Sequence, residues 1–154
     1  MRIALGSDHA GFDLKQQLLQ LVSQLGHTPI DCGTHGRDPV DYPYFAAAVG
    51  RTVQSGAADR GIVVCGSGVG ASVAANKIAG VRAGLCHDTY SAHQGVEHDN
   101  MNVLCLGARV IGPELMADLL RAYLGAKFTG EERHVRRLAK VDVIEHSQLQ
   151  GANK

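Results

Sequence analysis

A chain of 154 residues has room for one domain with a single sizeable core. Fifteen lysines and arginines balance fifteen aspartates and glutamates, so neither nucleic acid nor an anionic membrane is an expected partner. No apolar run approaches the ~18 residues of a membrane span, Met1-Arg2-Ile3-Ala4 enters a strand without a leader, and four widely spaced cysteines form no C-x-x-C pair; a reduced, cytoplasmic protein is expected.

Strand-like and helix-like segments alternate along the chain. Arg2–Leu5 predicts a first strand. Phe12–Leu25 predicts a helix, because Leu14, Leu18, Leu21, Val22 and Leu25 recur at helical spacing. Gly26 stops it, and Thr28–Cys32 predicts a second strand. An alanine-rich helix is expected over Tyr44–Gln54, ending at Ser55-Gly56. Gly61–Cys65 predicts the next strand, with a helix from Gly70 to about Ile78. Val81–Cys86 and Val103–Leu106 complete five strands. Pro113 suits a first helical turn, and Glu114–Leu124 follows with Leu115, Leu119, Leu120 and Leu124 on one face. Glu131–His146 predicts a final charged helix, and Ser147–Lys154 a frayed, flexible tail. Short apolar strands alternating with helices predict an α/β fold, a single domain over residues 1–154, with a five-stranded parallel sheet covered on both faces.

In such sheets ligands bind beyond the carboxyl ends of the strands. Gly61–Gly70, GIVVCGSGVG, runs the strand Ile62-Val63-Val64 into Cys65 and then a loop with glycine at Gly66, Gly68 and Gly70. Glycines let the backbone come close, and free amides at a helix start point at negative charge. A thiol beside such an anion site is placed for chemistry as a thiolate. The loop is neither a Walker motif nor the dinucleotide fingerprint, since G-x-G-x-G falls one residue short. A tight turn carrying an inert cysteine is the plainer account.

Three other constellations carry reactive side chains. Gly6-Ser7-Asp8-His9-Ala10-Gly11 leaves the first strand; Ser7 or Asp8 could cap a helix, or Asp8 and His9 could bind sugar hydroxyls or phosphate. Glu97-His98-Asp99-Asn100 precedes the last strand. His93 and His98 lack any metal-ligand spacing, so His98 is better suited to acid or base work than to a metal. Arg133 and Arg137 share a helix face in a geometry that clamps phosphate, although a solvated face paired with Glu131 and Glu132 is the bland alternative. Arg109 stands at a strand exit. His87-Asp88 also follows a strand, with nothing in the sequence to couple it to the rest, and His27, His35, His134 and His146 receive no role. Cys86 and Cys105 end apolar runs and are expected in the core.

With these motifs in order, together with Asp41-Tyr42-Pro43, Ala74-Ala75-Asn76-Lys77, Asn102-Val103-Leu104 and Gly107-Ala108-Arg109-Val110-Ile111-Gly112, the chain resembles the ribose-5-phosphate isomerase B family, which includes galactose-6-phosphate and allose-6-phosphate isomerases. The resemblance spans nearly the whole chain. It implies a Rossmann-like three-layer sandwich without metal or organic cofactor, acting on a small-molecule phosphosugar. It implies a homodimer, or a dimer of dimers, with sites shared between subunits. By position, Cys65 matches the base that moves a proton between C1 and C2, and His98 the histidine that opens the furanose ring. Gly66, Ser67, Gly68, Val69 and Gly70 match the anion hole, with the Ser67 hydroxyl standing where many relatives have threonine. Asp8, His9, Arg109, Arg133 and Arg137 match substrate-binding positions, and Tyr42 lies near the pocket.

Two positions depart from the family pattern. Many relatives read Asn-Asp after the histidine, whereas this chain reads Asp99-Asn100, which leaves open which of the two meets the sugar. Relatives that use a glutamate base place it where this chain has Ala71, so only the cysteine chemistry is available. The implied reaction is ribose 5-phosphate to ribulose 5-phosphate through a cis-enediolate, with allose 6-phosphate, galactose 6-phosphate or a tetrose phosphate as alternative substrates. A non-catalytic phosphosugar-binding module is a further alternative. A flavodoxin-like cofactor binder is disfavoured by scarce aromatics, and a cysteine phosphatase by Ala71 where its loop requires arginine.

Overall fold

The computed structural model describes residues 1–151, with side chains described through residue 147. The strands are β1 (Arg2–Ser7), β2 (Thr28–Asp31), β3 (Arg60–Cys65), β4 (Ala83–Leu85) and β5 (Val103–Gly107). The helices are α1 (Phe12–Gln24), α2 (Tyr42–Gln54), α3 (Val69–Ala75), α4 (Thr89–Asp99), α5 (Pro113–Gly125) and α6 (Glu132–Gly151). All strands pair in parallel in the order β2-β1-β3-β5-β4. This is the Rossmann-like sandwich the sequence predicts. Among the described residues, no helix is long and apolar enough to cross a membrane.

Alternation along the three central strands sorts side chains to two faces. Ile3, Leu5, Ile62, Val64, Leu104 and Leu106 pack against large residues of α1 and α5, including Leu18, Leu119 and Tyr123. Ala4, Val63, Cys65, Val103 and Cys105 meet the smaller residues Ala46, Val49, Ala71 and Ala75 of α2 and α3. The second face is closely seated. A Cβ on Gly61 would stand 2.5 Å from Val49 Cγ1.

The chain leaves β1 toward β2 on one side, and on the other passes from β3 out to β4 and back to β5. The crevice between β1 and β3 is therefore the topological switch point, where open parallel sheets bind ligands. Register aligns the strand exits, pairing Ser7 with Val64 and Cys65 with Gly107.

Several elements differ from the sequence expectation. Helix α4 was not anticipated, because only Ala92 and Val96 of its residues are buried and the apolar period is sparse. Its start signal is nonetheless present, since Asp88 Oδ1 accepts the Ser91 amide at 2.7 Å as an N-cap. Strand β4 is shorter than Val81–Cys86, because Asn102 Oδ1 takes the Arg82 amide and Asn76 Oδ1 the Ala83 amide, both at 2.8 Å. Helix α3 ends at Ala75, where Lys77 and Ile78 turn back to Ala74 and Ala75 at 3.1 Å. Helix α6 continues past His146 to Gly151, and residues 152–154 of the expected tail lie outside the described residues.

Among the described residues, one lysine lies inside the fold. Lys15 on α1 is fully buried; its Nζ donates to Asp31 Oδ1 at the end of β2 and to Thr34 O at 2.8 Å. Asp31 Oδ1 also accepts the Gly33 amide at 2.9 Å, and Gly33 O accepts from Ser7 N at 2.8 Å. The pair thus ties the loop after β2 to the exit of β1. Asp31→Leu leaves the fully buried Lys15 without its carboxylate and should cost about 3 kcal/mol of unfolding free energy, read by urea denaturation. Adding Lys15→Met to Asp31→Leu should recover much of that loss, because no unpaired buried charge then remains.

Candidate active site

Cys65 ends β3 with its side chain buried, 4% exposed. The Gly68 amide donates to Cys65 Sγ at 3.1 Å. That geometry requires glycine twice over. Gly68 has φ +81°, and a Cβ there would stand 2.5 Å from Leu85 Cδ1 and 2.8 Å from the Leu106 carbonyl carbon. Ser67 is exposed on the loop, and its Oγ accepts the Val69 amide at 3.3 Å. The loop is clamped from β5, where Ala108 N donates to Cys65 O at 2.9 Å and Arg109 N to Gly66 O at 3.0 Å. The Arg109 side chain lies along the loop, 3.7 Å from the place a Gly66 Cβ would take. Tyr42 closes the other side, with its ring 2.7 Å from a Cβ built on Gly70. With only seven residues in α3, its local first-turn amides, rather than a long-helix dipole, supply the positive potential here.

The exit of β1 lies across the switch point. Asp8 is buried, donates its amide to Val64 O at 3.2 Å, and accepts the Gly11 amide on Oδ1 at 3.0 Å. It therefore closes the turn into α1 without capping the helix itself, whose N-cap is Gly11. His9 Nδ1 sits against the Val40 backbone, 3.2 Å from its amide nitrogen and 3.3 Å from its carbonyl oxygen, which holds the ring at the exit of β1. Asp8, His9, Tyr42, Cys65, the loop Gly66–Gly70 and Arg109 thus gather at one edge of the sheet.

His98, Asp99, Asn100, Arg133 and Arg137 do not join them. Helix α4 starts beyond the carboxyl end of β4 and returns to the amino end of β5, so its last turn lies at the opposite edge of the sheet. There His98 stacks on His134, with ring centroids 4.1 Å apart and planes at 27°. Gln94 Nε2 donates to His98 Nδ1 at 2.8 Å. His134 is buried, and its Nδ1 is 2.8 Å from Thr129 Oγ1, which donates in turn to Glu97 O at 3.2 Å. Arg133 Nε pairs with Glu131 at 2.9 Å, as the bland account allows, and both Arg133 and Arg137 are exposed. Asn100 ends α4 at φ +48°, a left-handed position that asparagine tolerates, and its carbonyl accepts from Arg82 Nε at 2.9 Å. Asp99 is exposed at the rim of a groove of about 720 Å³.

Sequence reasoning gave no role to three residues that the structure couples to these clusters. His87 Nε2 accepts the Gly107 amide at 3.0 Å, behind the Cys65 loop. His134 and Gln94 hold His98 from the face and from the edge. Only the helical spacing of Gln94 to His98, four residues, could have flagged a contact in advance. The remaining cysteines are structural. Burial pushes the Cys86 thiol up to about 11, with Asp88 adding to it, and raises those of Cys105 and Cys32.

Residues 3–141 match the family model described as Ribose/Galactose Isomerase. The chain is 43% identical over 144 residues to ribose-5-phosphate isomerase B of Escherichia coli K12, covering 94% of this chain and 96% of that one. It is 39% identical over 150 residues to the D-erythrulose-4-phosphate isomerase of Pectobacterium atrosepticum, covering 96% and 97%. The solved structure of Clostridium thermocellum ribose-5-phosphate isomerase B is similar at a TM-score of 0.94 and 44% identity, covering 96% of this chain and 99% of that one.

Burial holds the imidazole of His134 below the ordinary 6.5; His98, Arg133 and Arg137 act in the same direction and Glu131 against it. The folded chain rejects a proton that the unfolded chain accepts. Stability therefore falls as pH drops from 6.5 toward the folded value, and the loss is complete below it. The urea midpoint should fall between about pH 7.5 and about pH 5.5, and fall less in His134→Gln. Equal falls in the two proteins would assign the acid sensitivity to other groups.

Proposed function

Because the chain belongs to the ribose/galactose isomerase family of sugar-phosphate isomerases, we propose that it interconverts ribose 5-phosphate and ribulose 5-phosphate, with Cys65 as the carbon base. The observation that carries this reading is the seating of Cys65, its sulfur held by the Gly68 amide at the switch point beside Asp8, His9 and Arg109. Cys65 takes the proton from C2 of the open aldose and returns it to C1. The charge left on the sugar oxygens as the enediolate forms meets the amides of Gly66–Gly70, where losing one such donor costs about 3 kcal/mol of transition-state stabilisation. The Ser67 hydroxyl carries the proton between the two sugar oxygens. Arg109 and His9 lie on the same edge and suit the anionic end of the substrate.

His98 opens the sugar ring, and Arg133 and Arg137 hold the phosphate, from a second copy of the chain. Two facts support that division. These residues lie at the edge of the sheet opposite Cys65, so one copy cannot bring them together. Apolar side chains also stand unpartnered on both sides: Val69 (52% exposed) and Val73 (56%) on α3, and Val143 (68%) and Ile144 (63%) on α6. Alongside α6, Leu138, Val141 and Ile144 line the groove that Asp99 rims.

The test is complementation. Cys65→Ala and His98→Asn should each be nearly inactive on cyclic ribose 5-phosphate while remaining folded. Co-expressed, they should recover about a quarter of wild-type turnover, because half of the random dimers carry one intact shared site. No recovery from two folded variants would place both residues in one chain's site, and full activity of Cys65→Ala would remove it as the base. A panel of ribose, allose and galactose phosphates with erythrulose 4-phosphate decides the sugar, and ribose 5-phosphate should give the highest kcat/KM. The similarity to the erythrulose-4-phosphate isomerase makes a four-carbon phosphosugar the second reading. A higher kcat/KM on erythrulose 4-phosphate would establish it.

A further inference from the structure

The plane of the His98 imidazole is set by the residues around it. Its face lies on His134, 4.1 Å away at 27°. That ring is itself fixed: Thr129 Oγ1 donates to Glu97 O, so it accepts from His134 Nδ1–H, and the Thr129 amide also donates to Glu97 O at 3.0 Å. With its face packed in this way, His98 cannot turn freely about its ring axis. The bond at its edge then decides which nitrogen carries the proton. Gln94, one turn earlier on α4, puts its amide nitrogen 2.8 Å from His98 Nδ1. An amide nitrogen only donates, so Nδ1 must accept, and the ring proton resides on Nε2.

We propose that Gln94 is a positioning residue for ring opening, holding His98 in the tautomer that presents Nε2–H to the sugar; this rests on His98 being the ring-opening residue of the reading above. Nε2–H then hydrogen-bonds the furanose ring oxygen and stabilises the charge that gathers there as the C1–O bond breaks; solvent water carries the proton of the C1 hydroxyl to that oxygen, and the imidazole stays neutral with Nδ1 occupied inside the protein. The charged neighbours do not do this job. His93 pairs with Glu97 at 3.4 Å and Asp99 is exposed; Arg133 and Arg137 lie on α6 and Glu131 just before it, where Glu131 pairs with Arg133. Among the described residues, Gln94 makes the one side-chain hydrogen bond to the His98 ring.

A glutamine and a glutamate at this position give opposite instructions. The carboxylate of Gln94→Glu only accepts, so it draws the proton to Nδ1 and leaves Nε2 as a bare lone pair. Gln94→Leu gives no instruction and should leave both tautomers populated. The full chain labelled with 15N-imidazole histidine reports this directly, His98 being assigned by the signals missing from His98→Asn. In the wild type His98 should show the Nε2–H pattern, in Gln94→Glu the Nδ1–H pattern, and in Gln94→Leu averaged shifts. With cyclic ribose 5-phosphate, kcat should drop about tenfold to a hundredfold in Gln94→Glu and less in Gln94→Leu. Binding of ribose 5-phosphate to both variants, read by calorimetry, should change less than about twofold, since Gln94 orients a catalytic group without holding the phosphate.

An Nδ1–H pattern in the wild type, an unchanged pattern in Gln94→Glu, or a switched pattern with unchanged kcat would each overturn the proposal. His98→Asn in the same assay separates the two levels. Near-normal turnover there removes His98 from ring opening and the proposal with it. A loss in His98→Asn with unaffected Gln94 variants removes Gln94 alone.

Discussion

The backbone ladder that holds β3 between β1 and β5 does not stop where the strands do. Past the ends of the paired segments, Asp8 N still reaches Val64 O, Ala108 N reaches Cys65 O, and Arg109 N reaches Gly66 O. These bonds carry the order of the sheet into three connecting segments that would otherwise be ordinary surface loops. Cys65 is fixed on both sides by them, and its sulfur then has a single place to lie, under the Gly68 amide. The pair between buried Lys15 and the more exposed Asp31 extends the same control outward, to the segment that leads from β2 toward Tyr42. Preorganisation of this kind suits the proton transfer proposed for Cys65, since donors already in place need no rearrangement as charge develops.

The two clusters of reactive side chains differ in how they are built. The Cys65 cluster is assembled from backbone: amides, carbonyl clamps, a left-handed glycine. The His98 cluster is assembled from side chains stacked on one another, Gln94 at the edge of the ring and His134 beneath it. Helix α6 touches the rest of the fold chiefly through this second cluster and leaves Val141, Val143 and Ile144 exposed. An arm with an apolar face and few contacts of its own is suited to covering a neighbour.

The central architecture was legible because β1, β3 and β5 are buried on both faces, which writes them as continuous apolar runs. The Cys65 loop was legible for a related reason: glycine at position 68 is required by sterics, and sterics leave a mark in composition. Helix α4 was obscured by its position at the margin of the sheet. Two buried residues, Ala92 and Val96, set no visible period, and Gly95 within it argues against a helix on propensity alone. A Cβ at that glycine would crowd Met101, whose sulfur would lie 3.2 Å away. The pairing of His98 with His134 was illegible in principle, since it joins the end of one helix to the start of another across α5. His134 therefore looked like one more residue of a basic, solvated stretch.

The unequal faces of the sheet carry a consequence for how this chain can drift in sequence. On the α1 and α5 side the core is made of leucines, isoleucines and Tyr123, and harm comes from shrinking a side chain and leaving a hole. On the α2 and α3 side it is made of alanines, valines and glycine, so there is little to remove and almost no room to add. Cys65 faces the second side. The Cys65 thiol is thus bedded on the half of the core where substitutions toward bulk are excluded, and neutral variation near it is confined to exchanges among the smallest residues.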